Sequence, residues 1–345
     1  MEKDTVSMHF AVAAVSKLRR AQRAQVLAAS GIPCELLDAP EARVPSAAFA
    51  ALWLAVAQAL DDEFFGLDRR RMKVGSFALL CHAVLHSGNL ERAVRHILRC
   101  FAVFLDDVDG ELVVEADPAA IRITNRIADP AARRFADEAF LVMVHGLMCW
   151  LTGKRIALSG ADFAHARPAH ASEYAVMFSE HLHFDAEFTA IHFDAALLDS
   201  PVVQNRRTLK PFLRTAPQSV FLKYRNEDSW TARVRRRLRE SFGDKDWPVL
   251  DTLAQEFHLT PTTLRRRLES EGSSYQGIKD ELRRDTAIDQ LCTSSMSIAE
   301  IGRLVGFQEP SAFHRAFKKW CGVQPGHYRL RQSATSARAD GRVRR

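Results

Sequence analysis

Apolar residues recur at helical spacing in two separate segments near the C-terminal end of the chain. In residues 250–272 they fall at i, i+3, i+4 and i+7, which makes one face of a helix apolar: Leu250, Leu253, Ala254 and Phe257. In residues 298–322 the equivalent face consists of Ile298, Ile301 and Val305. A tight turn and a second amphipathic stretch follow in each segment. The pattern therefore predicts two copies of a helix-turn-helix unit.

The ends of these predicted helices carry matching signals. Ser297 and Glu300 have the spacing of a capping box, in which a hydroxyl and a carboxylate each accept a backbone N–H at the helix start. Gly306 stands where the turn needs left-handed backbone. Both second helices begin with a polar residue followed by proline, which suits the first helical position because its missing N–H is not needed there. These pairs are Thr260-Pro261 and Glu309-Pro310.

The second helix of each unit has an apolar face and a polar face. The apolar face is expected to pack inward: Leu264 and Leu268 in the first unit, and Phe313, Phe317 and Trp320 in the second. The polar face carries groups that can bond base edges in the major groove of DNA. These candidate base-reading residues are Thr262, Arg265 and Arg266, and Ser311, His314 and Arg315. Three cations nearer the rim are candidates for phosphate contacts: Arg267, Lys318 and Lys319.

A solvated surface is the alternative interpretation of any one such helix face, but two copies with the same caps favour DNA recognition. Residues 273–291, between the two units, predict a long helix with Ile278, Leu282, Ile288 and Leu291 mostly buried. Such a helix would hold both units in one rigid frame, able to reach successive major grooves about 34 Å apart.

The distribution of charge supports a nucleic-acid partner for this part of the chain. The protein has 48 Lys+Arg and 42 Asp+Glu, a formal net charge of +6 at pH 7. Residues 1–228 contain 26 basic and 28 acidic side chains, whereas residues 229–331 contain 18 and 13. The excess positive charge therefore lies where a phosphate backbone would be met.

Residues 297–329, SIAEIGRLVGFQEPSAFHRAFKKWCGVQPGHYR, combine several distinctive features. They include the GF turn, an aromatic–x–R–x–F run, a pair of lysines and a G-x-x-P-x-x-Y-R ending. In these features the segment resembles the AraC/XylS family of bacterial transcription regulators. With the first unit and the intervening helix, the resemblance covers roughly residues 230–330. It implies a monomeric two-unit reader with base contacts in adjacent major grooves, and it assigns those contacts, position by position, to the same six residues.

The first 228 residues combine helical and β periodicity. The spacing predicts helices within residues 6–30, 46–60, 75–86, 88–105, 131–151 and 169–179, and strands at 111–116, 121–127, 158–163 and 189–193. We therefore predict an α+β N-terminal domain, with a small and mostly antiparallel sheet, followed by an all-α DNA-binding domain. Residues 65–98 and 184–202 are similar to the N-terminal type of the family found in regulators resembling the ornithine-utilisation regulator. That resemblance implies a domain that senses an effector or dimerises.

Histidines and cysteines in the N-terminal part raise the question of metal binding or catalysis. The histidines include a His181-x-His183 pair: His165, His170, His181, His183 and His192. No cysteine or carboxylate cluster stands at ligand spacing beside them, so we expect structural or exposed histidines, with no metal and no cofactor. Cys34 has no neighbouring base in the sequence to lower the pKa of its thiol, and Cys81 and His82 would point apart on a helix. No catalytic residue is predicted.

A ligand cavity is a more natural expectation than a reaction centre. Large apolar side chains are numerous enough to line one, although they could equally form ordinary core: Phe101, Phe104, Phe140, Met143, Met148 and Trp150. The domain is apolar and faintly acidic, which favours a small, largely apolar effector. The residues that would bind it stay unassigned.

These observations predict a three-part chain. Residues 1–225 would sense an effector or dimerise, residues 229–331 would bind DNA, and residues 332–345 would form a disordered basic tail. The expected partners are double-stranded promoter DNA and RNA polymerase, with an apolar effector and a second copy of the chain as partners of the N-terminal domain. The sequence has no signal-peptide pattern, no long uninterrupted apolar stretch and six scattered cysteines. It therefore predicts a cytoplasmic protein without a membrane partner.

Two alternatives stay open. One is a constitutive DNA-binding regulator whose N-terminal domain only dimerises. The other is an enzyme fused to a DNA-binding domain.

Overall fold

The structure is a computed structural model that describes residues 5–39, 42–114, 117–221, 230–241, 247–270, 273–321 and 323–329. Contacts along the chain divide it into two compact units. The N-terminal unit comprises His9–Ser30 and Ala47–Arg225, and the C-terminal unit comprises Met1–Met8, Gly31–Ser46 and Asn226–Arg345, as far as these residues are described. The predicted tail, residues 332–345, lies outside the described residues.

In chain order the elements are β1 (Thr5–Ser7), α1 (Met8–Ala14), α2 (Arg20–Ala29), β2 (Arg43–Pro45), α3 (Ser46–Leu60), α4 (Ser76–Val84), α5 (Leu90–Phe104), β3 (Val108–Val113), β4 (Ala119–Asn125), α6 (Pro130–Thr152), β5 (Leu158–Phe163), α7 (Ala171–Met177), β6 (Leu182–Phe184), β7 (Thr189–Phe193), α8 (Arg206–Thr215), α9 (Gln218–Phe221), α10 (Trp230–Glu240), α11 (Leu250–Glu256), α12 (Pro261–Ser270), α13 (Tyr275–Thr293), α14 (Ile298–Leu304) and α15 (Pro310–Cys321). Short 3-10 helices lie at Cys34–Asp38 and Ala195–Asp199.

A five-stranded sheet of order β3-β4-β7-β5-β6 organises the N-terminal unit. Neighbouring strands are antiparallel except β5 and β6, which are parallel. Ile121 and Ile123 on β4 are buried with an intermediate residue between them, the period-2 pattern of a strand with one packed face. The predicted α+β class with a small, mostly antiparallel sheet is confirmed.

Helix α6 forms the centre of the N-terminal unit. Its start is capped by Asp129, whose carboxylate accepts a hydrogen bond from the backbone N–H of Ala132 at 3.0 Å, and Pro130 occupies the first position. Gly153, with a φ of +65°, ends it. By length and composition alone α6 could cross a membrane, but its apolar window is entirely buried within the protein. It is therefore placed as a core helix.

The C-terminal unit contains the two predicted helix-turn-helix copies, α11–α12 and α14–α15, joined by α13. The capping box at α14 is formed: the Ser297 hydroxyl accepts from the Glu300 N–H at 3.2 Å, and the Glu300 carboxylate accepts from the Ser297 N–H at 2.7 Å. Gly306 has a φ of +83°, as the predicted turn requires. In the first copy the left-handed turn residue is His258, with a φ of +54°.

Most of the apolar residues that the helical spacing places inside the C-terminal unit are buried. Leu264 and Leu268 of α12 pack with Ile278 and Leu282 of α13, together with buried residues of α10 and α11. In the second copy Phe313 and Phe317 are fully buried, while Trp320 is half-buried. The polar faces of both second helices therefore point away from a formed core.

Strands β1 and β2 form an antiparallel hairpin that belongs to the C-terminal unit. The Thr5 hydroxyl donates to the Asp285 carboxylate of α13 at 3.0 Å, and the Tyr328 hydroxyl donates to the Arg43 carbonyl. Arg43 in turn donates to the Thr5 carbonyl at 3.0 Å. The sequence assigns all of residues 1–225 to one N-terminal domain; the structure differs there, because residues 5–8 and 31–46 group with the C-terminal helices.

Other differences from the sequence-based elements are local. Residues 6–30 form part of β1 and two helices rather than one helix, and β6 is a strand of three residues, too short for its periodicity to register. Helices α8 and α9 were not expected; Asn205 caps the start of α8, and its side chain and that of Thr208 form a second capping box.

Candidate nucleic-acid interface and effector cavity

Helix α12 presents its polar face to solvent. Thr262, Arg265 and Arg266 are exposed, whereas Leu264 and Leu268 on the other side are 0% and 1% exposed. Among the described residues neither Arg265 nor Arg266 makes an ion pair or a hydrogen bond through its side chain. Both guanidinium groups are therefore available to a partner.

Helix α15 presents the matching face of the second copy. Ser311 and Arg315 are exposed, and His314 is half-buried with its Nδ1 atom 3.1 Å from Oε1 of Gln324. That contact occupies one of the two ring nitrogens of His314, so at most one remains to meet a base edge. Arg315 makes no side-chain contact of this kind within the described residues.

The three candidate phosphate contacts differ in their surroundings. Lys318 and Lys319 are exposed on α15. Arg267 of α12 lies over the ring of Trp230, with its guanidinium carbon 4.4 Å from the ring centroid. Arg233 of α10 stacks on the same tryptophan at 4.2 Å. The sequence analysis did not recognise Trp230, which orients a cation on each of two helices.

Helix α13 makes polar contacts with α10 and contacts aromatic rings near both copies. Glu281 of α13 and Arg235 of α10 form a buried ion pair with a distance of 2.5 Å. Burial raises the pKa of Glu281, while the neighbouring Arg235 opposes this rise. The Arg283 guanidinium lies 5.6 Å from the centroid of Trp247 in the first core and 5.2 Å from that of Phe307 in the second turn. One helix thus fixes both recognition helices in a common frame.

The N-terminal unit contains a partly open cavity of about 170 Å³ between α3, α4, α6, α8 and α9. Its walls are largely apolar and include Trp53, Phe77, Met143, Leu213 and Val220. Its polar groups are the side chains of Gln58 and Glu63. Such a concave apolar site with few polar groups is typical of a small-molecule pocket.

Glu63 is the charged group of this cavity. Its carboxylate accepts hydrogen bonds from the backbone N–H groups of Gly75, at 2.9 Å, and Phe77, at 2.7 Å. Burial raises the pKa of Glu63, and these two hydrogen bonds oppose the rise. The carboxylate is thereby held in place at the start of α4.

Of the side chains that the sequence suggests for a cavity, Met143 lines it. Phe101 and Phe140 are fully buried and pack together, with ring centroids 4.8 Å apart. Trp150 stacks on Phe212 at 4.2 Å. Sequence could not distinguish these positions, because an apolar wall of a cavity and an apolar core residue have the same pattern.

Three of the five histidines considered in the sequence lie near carboxylates. His183 and His192 both contact Asp162 on the sheet, with Nδ1 and Nε2 respectively 2.9 and 2.6 Å from its carboxylate oxygens. His170 lies instead beside His9 and Glu138. Among the thiols considered for catalysis, burial raises the pKa of both Cys34 and Cys81, which opposes a nucleophilic role.

A helical unit with two helix-turn-helix copies, carried in one chain with an α+β unit that contains a cavity, defines a DNA-binding transcription regulator. Comparisons with known proteins agree. Residues 21–202 match the family model described as the arabinose-binding domain of the AraC transcription regulator, N-terminal, and residues 253–331 match a helix-turn-helix domain model. The chain belongs to the AraC-type family of transcription regulators, which confirms the resemblance drawn from its motifs.

Some relatives match over most of this chain, and others match over a shorter part of it. The ornithine utilization regulator of Pseudomonas aeruginosa is 29% identical over 296 residues, 86% of this chain and 87% of that protein. An uncharacterised helix-turn-helix regulator of Mycobacterium tuberculosis is 30% identical over 329 residues, covering 92% and 93%. The virulence regulon transcriptional activator VirF of Shigella flexneri is 32% identical over 95 residues, 28% of this chain and 36% of its own. The solved regulator CdpR of Pseudomonas aeruginosa overlaps 73% of this chain and 81% of its own, with 19% identity and a TM-score of 0.28.

Proposed function

We propose that the protein recognises a promoter through α12 and α15, inserted in successive major grooves. Thr262, Arg265 and Arg266 would contact base edges in one groove, and Ser311, His314 and Arg315 would contact them in the next. The observation that carries the proposal is the pair of exposed cationic helix faces backed by buried Leu264, Leu268, Phe313 and Phe317 on one frame. Arginine donates two hydrogen bonds to guanine, which makes Arg265, Arg266 and Arg315 the main sources of specificity.

Phosphate contacts would set the position of the protein on DNA. We assign them to Arg267, Lys318 and Lys319, which flank the base-reading faces. Stacking of Arg267 on Trp230 limits the orientations of its guanidinium, so less conformational entropy is lost when it meets a phosphate. These residues would raise affinity for any duplex and make binding sensitive to salt.

The test is selection of bound fragments from genomic DNA by the full chain, followed by footprinting of the selected site. Two protected major-groove segments about 34 Å apart are expected. A single protected segment, or equal retention of all fragments at moderate salt, would contradict the assignment of two base-reading helices.

The cavity supports control by a small effector. An engineered apolar cavity of roughly 150 Å³ holds benzene, so this cavity accommodates a ligand of about one ring. The Glu63 carboxylate at its wall favours a ligand that also carries an amine or a hydroxyl group. Effector binding would favour one arrangement of the protein and so change its affinity for the operator.

Thermal unfolding of the full chain with benzylamine, benzyl alcohol and ornithine tests this effector class. Benzylamine is expected to raise the unfolding temperature most, and Glu63→Gln should weaken its effect more than that of benzyl alcohol. Ala78→Leu, which narrows the cavity, should abolish both effects, whereas Leu79→Ala, at an exposed neighbouring position, should leave them unchanged. A larger effect of ornithine, after which one relative is named, would replace the apolar class with that of basic amino acids.

Further assignments follow from the family. We infer activation through contact with RNA polymerase, a cytoplasmic location, and a homodimer formed by the N-terminal unit. The alternative, a constitutive regulator whose N-terminal unit only dimerises, predicts an operator affinity that no cavity ligand alters. Sedimentation of the full chain with and without benzylamine, together with operator titration, separates the two. The relatives are transcription regulators, which opposes the enzyme-fusion alternative.

A further inference from the structure

Three side chains with metal-binding atoms converge in the N-terminal unit, away from the cavity. They are His9 of α1, Glu138 of α6 and His170, which directly precedes α7. One ligand atom from each lies within 4.8 Å of the others. The three residues are distant in sequence, so the fold itself creates the cluster.

The carboxylate of Glu138 has an unusual environment for a buried charged group. Its side chain is 1% exposed, and its Oε1 atom accepts a hydrogen bond from the hydroxyl of Tyr174. Its Oε2 atom is buried and has no hydrogen-bond partner among the described residues. Leaving a buried carboxylate oxygen without a partner is costly, and a bound cation would satisfy it.

His170 also has a buried polar atom without a hydrogen-bond partner among the described residues. Its Nε2 atom is buried, makes no hydrogen bond within the described part of the chain, and lies 3.8 Å from Oε1 of Glu138, which is too far for one. The rings of His170 and His9 are stacked, with centroids 3.4 Å apart and planes at 23°.

We propose that His9, Glu138 and His170 bind a divalent transition-metal ion of the zinc class. Two imidazole nitrogens and one carboxylate form a donor set that zinc uses with one position left for water, whereas Ca²⁺ and Mg²⁺ prefer oxygen ligands. Zinc–ligand bonds of about 2.0–2.2 Å place tetrahedral ligand atoms roughly 3.3–3.5 Å apart. The 3.8 Å separation of His170 and Glu138 needs only a small closure, and the two stacked rings must splay to aim both nitrogens at one ion.

Tyr174 completes the proposed site as a positioning residue. By donating to Oε1 of Glu138 it fixes the carboxylate and leaves Oε2 directed to a cation. The bound ion would connect α1, α6 and the start of α7. The sequence analysis expected no metal, because it considered His170 with the histidines near it in sequence and did not consider His9.

The experiment is a zinc titration of the metal-free full chain without an affinity tag, with a competing chelator to set free Zn²⁺ and cobalt(II) absorption as a second probe. Wild type should bind a single ion. His170→Ala and Glu138→Gln should weaken zinc at least about 100-fold, and Tyr174→Phe, which removes only a hydroxyl, about 10–100-fold. The matched control is His183→Ala, an exposed histidine in the same unit that also contacts a carboxylate, and its affinity should equal wild type.

Far-UV circular dichroism of each metal-free variant separates loss of a ligand from loss of the fold, and Tyr174→Phe keeps the test decisive if a ligand variant does not fold. Zinc affinity that is equal in wild type, His170→Ala and Tyr174→Phe would overturn the proposal. A loss in His183→Ala as large as that in His170→Ala would also overturn it, by showing binding to scattered histidines. Neither zinc binding nor circular dichroism involves DNA, so the outcome of this test is independent of the proposed promoter recognition.

Discussion

Arg315→Ala is the most direct test of the proposed promoter recognition. The guanidinium is exposed and has no ion pair or hydrogen bond within the described residues, so its removal takes no stabilising contact from the fold. Its neighbours Phe313 and Phe317 stay buried. If Arg315 donates two hydrogen bonds to one guanine, the loss is about 1–3 kcal/mol, which corresponds to roughly 5–150-fold in Kd.

The assay is a titration of the selected operator and of a scrambled duplex at fixed salt, with wild type, Arg315→Ala and a matched control. Arg236→Ala is that control, because Arg236 is an exposed arginine on α10 of the same unit and lies outside both helix-turn-helix copies. Arg315→Ala should lose affinity for the operator, keep its affinity for the scrambled duplex, and tolerate a change at one base pair. An equal loss on both duplexes would refute base reading and make Arg315 a phosphate contact.

Three further changes test the neighbouring assignments. Lys319→Ala should weaken operator and scrambled duplex alike and reduce the slope of log affinity against log salt by about one unit; a sequence-selective loss would contradict a phosphate role. Phe317→Ala should lower the free energy of unfolding by about 3–5 kcal/mol in denaturant titrations, because a fully buried ring is removed, and an unchanged midpoint would show that this face is not core. Gly146→Ala should cost about 1–3 kcal/mol, because its new Cβ would lie 2.5 Å from the carbonyl oxygen of Val220. Gly160→Ala, with no atom closer than 3.6 Å, is its control in the same measurement.

The DNA-reading unit was predictable because its signals are local. The capping box of Ser297 and Glu300, the left-handed Gly306 and the apolar spacing of Leu264 and Leu268 act within one or two helical turns. Each is confirmed in the structure. Such local patterns can be recognised in the sequence, because the residues that form each one are only a few positions apart.

The proposed metal site and the cavity depend on contacts between residues far apart in the chain. No local pattern in the sequence indicates such contacts. His9, Glu138 and His170 have no common spacing, so the sequence analysis grouped His170 with histidines close to it in sequence. Likewise, Met143 and Phe140 lie on the same buried helix, yet Met143 lines the cavity. Which apolar side chain borders a void depends on the packing of several elements, which spacing along one of them does not determine.

Because β1 and β2 belong to the C-terminal unit, the chain passes between the two units more than once. A simple boundary near residue 226 would join the two units by one connection. Instead the polypeptide passes between them at residues 8–9, 30–31, 46–47 and 225–226, because β1 and β2 belong to the C-terminal unit and the helices between them do not. His9 is the residue after the first of these passages. Through α1, His9 is joined covalently to β1, where the Thr5 hydroxyl donates a hydrogen bond to the Asp285 carboxylate of α13.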